Sequence, residues 1–368
     1  MKLLFITQEL DAGSDVLGIT PLWIDALASR VEHVNVLALS VGALSPAANV
    51  TLHSMGKERA AGRARRVLRF WWVMLQLCLR REIDLVFVHM VPLYAVLAVP
   101  VARLFGVPVV LWYTRAAITT QLRVAHALVH RCVTASAESF PLPSGKLTVT
   151  GHGIDMERFA PRVRSGQTGA PVVLRVDRIS RVKDQETLIR AVAALRQRAP
   201  DLPFRVRVVG GPFYDADRAY ERDLRTLAGH LGVEDAIDFA GPRPNAAVAE
   251  EYAASSVVAH TSRTGSIDRV VVEAMASARP VVTCNPAFVP LLGELAPGLM
   301  YPAGDAVALA ERLEALLKAP ADERSRLGKQ LREIASREHS LEGWADRTVA
   351  VFRDVLSLGK LRKDGARD

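Results

Sequence analysis

Short runs of apolar, largely β-branched residues recur along the chain, and helix-length amphipathic segments lie between them. In the first half the runs fall at 3–7, 34–39, 84–89, 107–112 and 147–150, and in the second at 172–176, 204–209, 236–239, 257–260 and 280–283. The helical segments include 184–198, 216–231 and 270–278. Strands that alternate with helices predict parallel sheets assembled from right-handed β-α-β units. Two such series predict an α/β chain of two Rossmann-like domains facing across a cleft, over 1–161 and 172–339. The segment 162–171 is polar, carries two glycines and a closing proline, has no apolar period and reads as a linker. Within 340–368 a last amphipathic stretch predicts a further helix, able to pack back on the first domain. Open parallel sheets bind ligands beyond the carboxyl ends of their strands, so two facing sheets suit two substrates, one on each domain.

Composition adjusts this picture in a few places. The 368 residues are 50% hydrophobic and 23% charged, as in ordinary globular proteins rather than disordered or fibrous ones. No apolar stretch reaches the roughly 18 residues of a spanning helix. Met1-Lys2 leads straight into a strand-like run, without the longer apolar region of a secretory signal, so a cytoplasmic protein is expected. Cys78, Cys132 and Cys284 lie far apart in no metal-binding spacing, which speaks against a zinc site or a disulfide frame. The formal net charge of +8 favours polyanions such as anionic lipid, phosphorylated small molecules or nucleic acid. No nucleic-acid-binding signature accompanies it, so nucleic acid is not an expected partner.

Two constellations carry chemistry. At 172–184 an apolar strand ends, and Arg178 and Lys183 follow in the loop before a helix. Two cations beside a helix N-terminus form a natural anion site, because the helix adds unpaired N–H groups and a partial positive charge. Taken alone, the same two residues also read as solvated loop charges. At 262–280 a Gly-Ser loop leads into a helix beginning near Arg269, and amides around Gly265, Ser266, Val270 and Val271 can cradle a phosphate or sugar hydroxyls. Glu273 follows early in that helix; a carboxylate there can accept both hydroxyls of a ribose, or merely complement the helix dipole.

With these segments in view, the second half resembles the donor domain of the family 4 glycosyltransferases, which have the GT-B fold. The resemblance is carried, in order, by Arg178 and Lys183, the Val209-Gly-Gly-Pro212 turn with Gly211, Phe239-Ala-Gly241, Glu273-Ala-Met-Ala276 with Pro280-Val-Val after it, and Tyr301-Pro-Ala-Gly-Asp305. Gly151-His-Gly-Ile-Asp155 is similar to the approach to the family's hinge, and 15–18 and 112–114 match more loosely. The resemblance implies transfer of a sugar, with retention of anomeric configuration and without a metal or other cofactor, from a nucleotide-diphosphate-sugar co-substrate to a glycan or lipid-linked acceptor, as in polysaccharide biosynthesis. It implies that Arg178 and Lys183 hold the diphosphate, that Glu273 binds the ribose, and that Gly18 belongs to a loop near donor and acceptor.

The chain departs from the family twice. Where the family has Glu eight residues before its second Glu, this chain has Gly265, with Asp268 the nearest carboxylate to stand in. Relatives often follow Trp-Tyr-Thr with His, whereas Arg115 follows here; arginine is a permanent donor that can grip a phosphate or acceptor but is a poor general base. Asp215 and Asp217 imitate a metal-binding Asp-x-Asp but sit at an expected helix start, where capping is the favoured role. His89 and His152 are candidate cleft residues, and His126 with His130 lacks a third ligand.

The segment 62–81 puts Arg65, Arg69, Gln76 and Arg80 on one helical stripe and large apolar residues nearly everywhere else. It reads equally as a helix packed on its sheet and as one lying on an anionic membrane surface. Other readings are a donor-only enzyme, such as a sugar-nucleotide epimerase, or a non-catalytic binder. A dinucleotide oxidoreductase is disfavoured because no GxGxxG follows the first strand.

Overall fold

Uninterrupted apolar strands can be buried on both faces only if helices cover both faces, and both sheets of the chain are built this way. The structure is a computed structural model that describes residues 1–11, 13, 18–42, 44–162 and 169–364. It divides into two compact units, Met1–Gly153 together with His339–Asp368, and Ile154–Glu338. The division falls between Gly153 and Ile154, ahead of the 162–171 segment, of which 163–168 lie outside the described residues.

In the first unit the strands are β1 (Lys2–Leu10), β2 (His33–Val41), β3 (Val50–Ser54), β4 (Leu85–His89), β5 (Val109–Trp112), β6 (Arg131–Thr134) and β7 (Leu147–Val149). They pair in parallel in the order β3-β2-β1-β4-β5-β6-β7. Successive strand residues point to opposite faces. Leu4 and Ile6 of β1 therefore join the core under α2 (Arg63–Leu79), α3 (Pro92–Leu104) and α4 (Thr120–Leu128). Leu3 and Phe5 join the opposite core, with α1 (Thr20–Ala28) and the terminal helix that follows His339. The aromatic centre of this second core is Trp23 stacked on Trp344 at 4.3 Å, and the Trp23 indole N–H donates to the Gly153 carbonyl at 3.0 Å.

Two of these strands were not visible as apolar runs. Strand β3 is a partly exposed edge containing Thr51, His53 and Ser54, and β6 is only four residues long. The burial pattern of α2 is one-sided. Phe70, Val73, Met74, Leu77 and Cys78 are buried, while Leu68, Trp72, Leu75 and Leu79 remain 65%, 57%, 41% and 64% exposed, so apolar surface is left over after the sheet is covered. No described helix is long and apolar enough to cross a membrane.

The second unit contains β8 (Val172–Val176), β9 (Arg205–Val209), β10 (Ile237–Gly241), β11 (Val257–His260) and β12 (Val281–Thr283), parallel in the order β10-β9-β8-β11-β12. Its helices are α5 (Gln185–Arg198), α6 (Asp215–His230), α7 (Val248–Ala254), α8 (Arg269–Ala276), the short α9 (Val289–Leu292) and α10 (Ala296–Leu299), α11 (Ala306–Lys318) and α12 (Ala321–His339); α13 (Leu341–Asp364) belongs to the first unit. Strand order reverses between β1 and β4 in one sheet and between β8 and β11 in the other. Such a switch point leaves a crevice beyond the carboxyl ends of the two central strands, where this class of sheet binds its ligands.

Candidate active site

The loops that leave β8 and β11 are stitched together across the switch point of the second sheet. The Thr261 hydroxyl donates to the Lys183 carbonyl at 2.8 Å, the Arg263 amide donates to the Val182 carbonyl at 3.2 Å, and the Arg263 guanidinium donates to Asp184 at 2.8 Å. Asp184 is held in the left-handed region at φ 52°, and its carboxylate also accepts the Thr187 hydroxyl at 2.8 Å. These bonds set the position of Lys183, which is buried.

The Lys183 ammonium lies 3.0 Å from Asp268 Oδ1 and 3.1 Å from Asp177 Oδ2. The other oxygen of Asp268 accepts from His260 Nε2 at 3.0 Å and from the Thr264 hydroxyl at 2.9 Å. His260 Nδ1 lies 2.8 Å from the Thr283 hydroxyl, whose oxygen also accepts the Asn285 amide at 3.1 Å. A neutral imidazole protonated on Nε2 satisfies every bond in this relay, with Thr283 donating to Nδ1. Burial works in the same direction and lowers the His260 pKa, against the pull of Asp268. Burial by itself would raise the Asp268 pKa, but His260 and Lys183 outweigh it and hold the carboxyl far below the usual carboxylate range.

Arg175, in the middle of β8 and fully buried, donates to the Lys183 carbonyl at 2.7 Å and lies 3.5 Å from Asp177. Arg178 is different: it is exposed, and its guanidinium pairs with no carboxylate among the described residues. Glu273 is buried in α8, with Oε1 2.9 Å from Arg269 and Oε2 3.2 Å from the Tyr252 hydroxyl. Burial, and then the Glu273 charge, push the Tyr252 pKa well above that of an ordinary phenol, so Tyr252 remains a hydroxyl donor.

Of the residues singled out in the sequence, Lys183 and Asp268 are in direct contact, and Glu273 lies one helical turn into the helix that Asp268 begins. Gly265 has φ 71°, and the Ser266 carbonyl accepts the Asn285 amide side chain at 2.7 Å. The Val270 carbonyl lies 3.0 Å from the Tyr252 hydroxyl, which has a single proton to share between it and Glu273, and Val271 is buried in the core. At the 209–212 turn the tight constraint falls on Gly210 rather than on Gly211. Gly210 has φ 128°, and a Cβ there would stand 1.9 Å from the Asp177 carbonyl oxygen, whereas at Gly211 the nearest atom would be a Pro242 ring carbon at 3.2 Å. Arg115, exposed, and Gly18, buried, belong to the first unit; Asp15 lies outside the described residues.

The remaining sequence candidates make contacts within their own units. Asp217 accepts the Tyr214 amide at 3.1 Å in a capping box at the start of α6. His89 is buried between Trp23 and Trp112 and contacts the Thr7 hydroxyl at 3.2 Å. The His152 amide donates to His339 Nδ1 at 3.2 Å. His126 bonds to Ser144 at 2.8 Å and His130 accepts the Val109 amide at 3.1 Å, so the two rings face different partners. Sequence reading missed Arg175, Asp177, Tyr252 and His260. Arg175 left a trace as a lone charge inside an apolar strand; the other three looked like ordinary strand-end and helix residues.

Comparison with known proteins agrees with this architecture. Residues 158–334 match the family model described as "Glycosyl transferases group 1". The chain is 31% identical over 234 residues to the D-inositol 3-phosphate glycosyltransferase of Corynebacterium urealyticum, covering 60% of this chain and 54% of that protein. It is 31% identical over 199 residues to the putative colanic acid biosynthesis glycosyltransferase WcaL of Escherichia coli, covering 52% and 47%. The chain thus spans about half the length of the curated relatives it matches. Among solved structures, Anabaena HepE in complex with UDP superposes with a TM-score of 0.77 at 20% identity, over 96% of this chain and 100% of the other. Sucrose-phosphate synthase from Thermosynechococcus elongatus gives 0.77 at 19%, over 97% and 100%. The fold is that of the GT-B glycosyltransferases, and residues 158–334, nearly all of the second unit, are similar to the group 1 glycosyl transferases.

Proposed function

We propose that the chain moves a sugar from a nucleotide-diphosphate donor, held by the second unit, to an acceptor hydroxyl with retention of anomeric configuration. The observation that carries this reading is the Lys183 ammonium at the switch point, fixed 3.1 Å from Asp177 and 3.0 Å from Asp268. An ammonium has three donors; Asp268 accepts one, and Asp177 stands within ion-pair distance without accepting a hydrogen bond, so donor capacity remains for a phosphate oxygen. The charges of Lys183 and Arg175 are already matched by Asp177 and Asp268, so the exposed guanidinium of Arg178 supplies the further positive charge that a diphosphate needs. As the bond between sugar and diphosphate breaks, negative charge gathers on the leaving group. Donors already in place lower the barrier, each by about 3 kcal/mol in comparable sites. With arginine and lysine in that role, the reaction needs no metal.

A carboxylate offers about four acceptor positions, of which Arg269 and Tyr252 occupy two on Glu273. The others take the ribose hydroxyls, beside the loop of Gly265 and Ser266, the first helical residues Val270 and Val271, and the turn at Gly211. The acceptor, a glycan or lipid-linked sugar, is the business of the first unit, with Gly18 and Arg115 as its candidate contacts. The relatives' names add a phosphorylated polyol to the acceptors worth trying. The exposed Leu68, Trp72, Leu75 and Leu79, on a helix that carries four arginines and no acid, suit an anionic membrane surface. A second reading rests on Asp268, whose oxygens are already engaged by Lys183, His260 and Thr264, and on Arg115 as a poor base; it is a protein that binds or processes the donor alone.

The test is a thermal-shift panel of UDP-, GDP- and ADP-sugars, UDP first because HepE crystallised with UDP, followed by product analysis with and without acceptor. Arg178→Ala and Lys183→Ala should each weaken the response. Shifts equal to the wild type in both variants would put the diphosphate elsewhere, and turnover without any acceptor would favour the second reading.

A further inference from the structure

The first unit contains a cavity of 1260 Å³ at the end of its sheet opposite the switch point. It lies at the amino ends of β4 to β7, beside the carboxyl ends of α3 and α4, and Leu358 of α13 lines it as well. Ligands of this fold's reaction bind at the carboxyl ends of the strands, so the reaction does not account for this cavity.

Its lining is strongly basic: Arg81, Arg103, Arg131 and Lys146 face it with one carboxylate, Asp84, among the described residues. Three of the cations converge on one turn. Arg103 Nη2 donates to the Leu128 carbonyl at 3.2 Å, Lys146 Nζ to the Val129 carbonyl at 2.8 Å, and Arg131 Nη1 to the His130 carbonyl at 3.5 Å. Basic side chains commonly cap the carboxyl end of a helix. That end carries only about half a negative charge, however, against three full positive charges here and a fourth on Arg81. None of the four forms an ion pair among the described residues, and Asp84 already accepts the Lys2 amide at 2.7 Å. Burial, together with the charges of Arg131 and Arg103, holds the Lys146 pKa below that of an ordinary lysine. Leu358, in the lining, and Leu104, next to Arg103, are 48% and 78% exposed, so apolar side chains accompany the cations.

We propose that this cavity binds a phosphate-bearing ligand, whose phosphoryl oxygens accept from Arg103, Arg131 and Lys146. A tetrahedral anion with several acceptor oxygens matches guanidinium and ammonium donors that approach from different elements. The phosphoryl group can come from a lipid headgroup or from a soluble phosphorylated molecule. The inference is independent of the sugar-transfer reaction.

The full-length chain is tested with two probes: labelled orthophosphate in equilibrium dialysis, and sedimentation with vesicles containing phosphatidylglycerol against vesicles of phosphatidylcholine alone. The double variant Arg103→Ala/Lys146→Met should bind at least one probe roughly tenfold more weakly, since charge-assisted hydrogen bonds are lost, with its far-ultraviolet circular-dichroism spectrum at 25 °C unchanged. Weaker orthophosphate binding alone identifies a soluble ligand, and weaker vesicle binding alone identifies a lipid headgroup. Arg131→Gln should weaken the same probe, and it carries the test if the double variant fails to fold. The proposal is overturned if the variants bind both probes as the wild type does, or if the wild type binds neither.

Discussion

Replacing Lys183 by methionine removes the ammonium from between two carboxylates while keeping most of the side-chain volume. The side chains of Lys183, Asp177 and Asp268 are 11%, 9% and 14% accessible, so solvent screens the cluster weakly. Deleting one partner of a buried ion pair costs about 3–5 kcal/mol. The low end applies here, because Asp268 keeps His260 and Thr264 and Asp177 keeps Arg175. A loss of about 3 kcal/mol lowers the melting temperature of a unit this size by roughly 6–12 °C. Asp268→Asn should cost about as much, since its single amide oxygen can serve Lys183 or His260 but must present an N–H₂ to the other. In the double variant the amide oxygen turns to His260 and the N–H₂ no longer meets a cation. The combined loss should therefore fall short of the sum by about 2 kcal/mol, within the range of directly interacting residues.

Denaturation can resolve where the loss occurs. All five tryptophans, Trp23, Trp71, Trp72, Trp112 and Trp344, lie in the first unit, so their fluorescence follows that unit while far-ultraviolet circular dichroism follows both. The destabilisation should appear in circular dichroism and leave the fluorescence transition in place. Costs that add to within about 0.5 kcal/mol would refute the reasoning, because additivity is the behaviour of side chains that do not interact.

Gly210→Ala should destabilise the second unit by well over 1 kcal/mol, beyond the ordinary penalty for alanine at positive φ, because its Cβ would meet the Asp177 carbonyl; Gly211→Ala should cost less, and equal melting temperatures would contradict the geometry. Burial lowers the pKa values of His260, His53 and His126, so the unfolded chain takes up protons first as pH falls. Stability should be fully present above the unfolded value of about 6.5 and fall below it; a melting temperature that is flat or rises from pH 7.5 to 5.5 would contradict this. Burial pushes the Cys132 thiol up to about 12, so it should not react with a thiol reagent before unfolding, as timed absorbance at neutral pH would reveal. Leu68→Glu/Trp72→Glu should weaken any sedimentation with anionic vesicles at little cost in stability, since both side chains are exposed, and unchanged sedimentation would remove α2 from the membrane proposal.

Much of the architecture was legible because apolar strands buried on both faces leave an unmistakable local trace. The runs at 3–7, 34–39, 172–176 and 257–260 all lie within or coincide with central strands of the two sheets. Edges are harder to read: β3 needs polar residues toward solvent, and β6 is too short to establish a period. Arg178, Lys183, Asp268 and Glu273 could be named because charged residues just past a strand end, or at a helix start, stand out locally. Asp177, His260 and Tyr252 could not, since their partners lie 6, 8 and 21 residues away and nothing in their neighbours sets them apart.

The sequence by itself determined the alternation of strands and helices, the two parallel sheets and the loops that carry the candidate chemistry, since each depends on interactions between near neighbours in the chain. Which oxygen of Asp268 faces Lys183, why Gly210 rather than Gly211 must lack a side chain, and which basic residues of the first unit gather around one turn were decided by the tertiary structure alone. Those outcomes depend on strand order, which brings β8 beside β11 and the amino ends of β4 to β7 into one row. Distances between residues far apart in the chain exist only once that order is set.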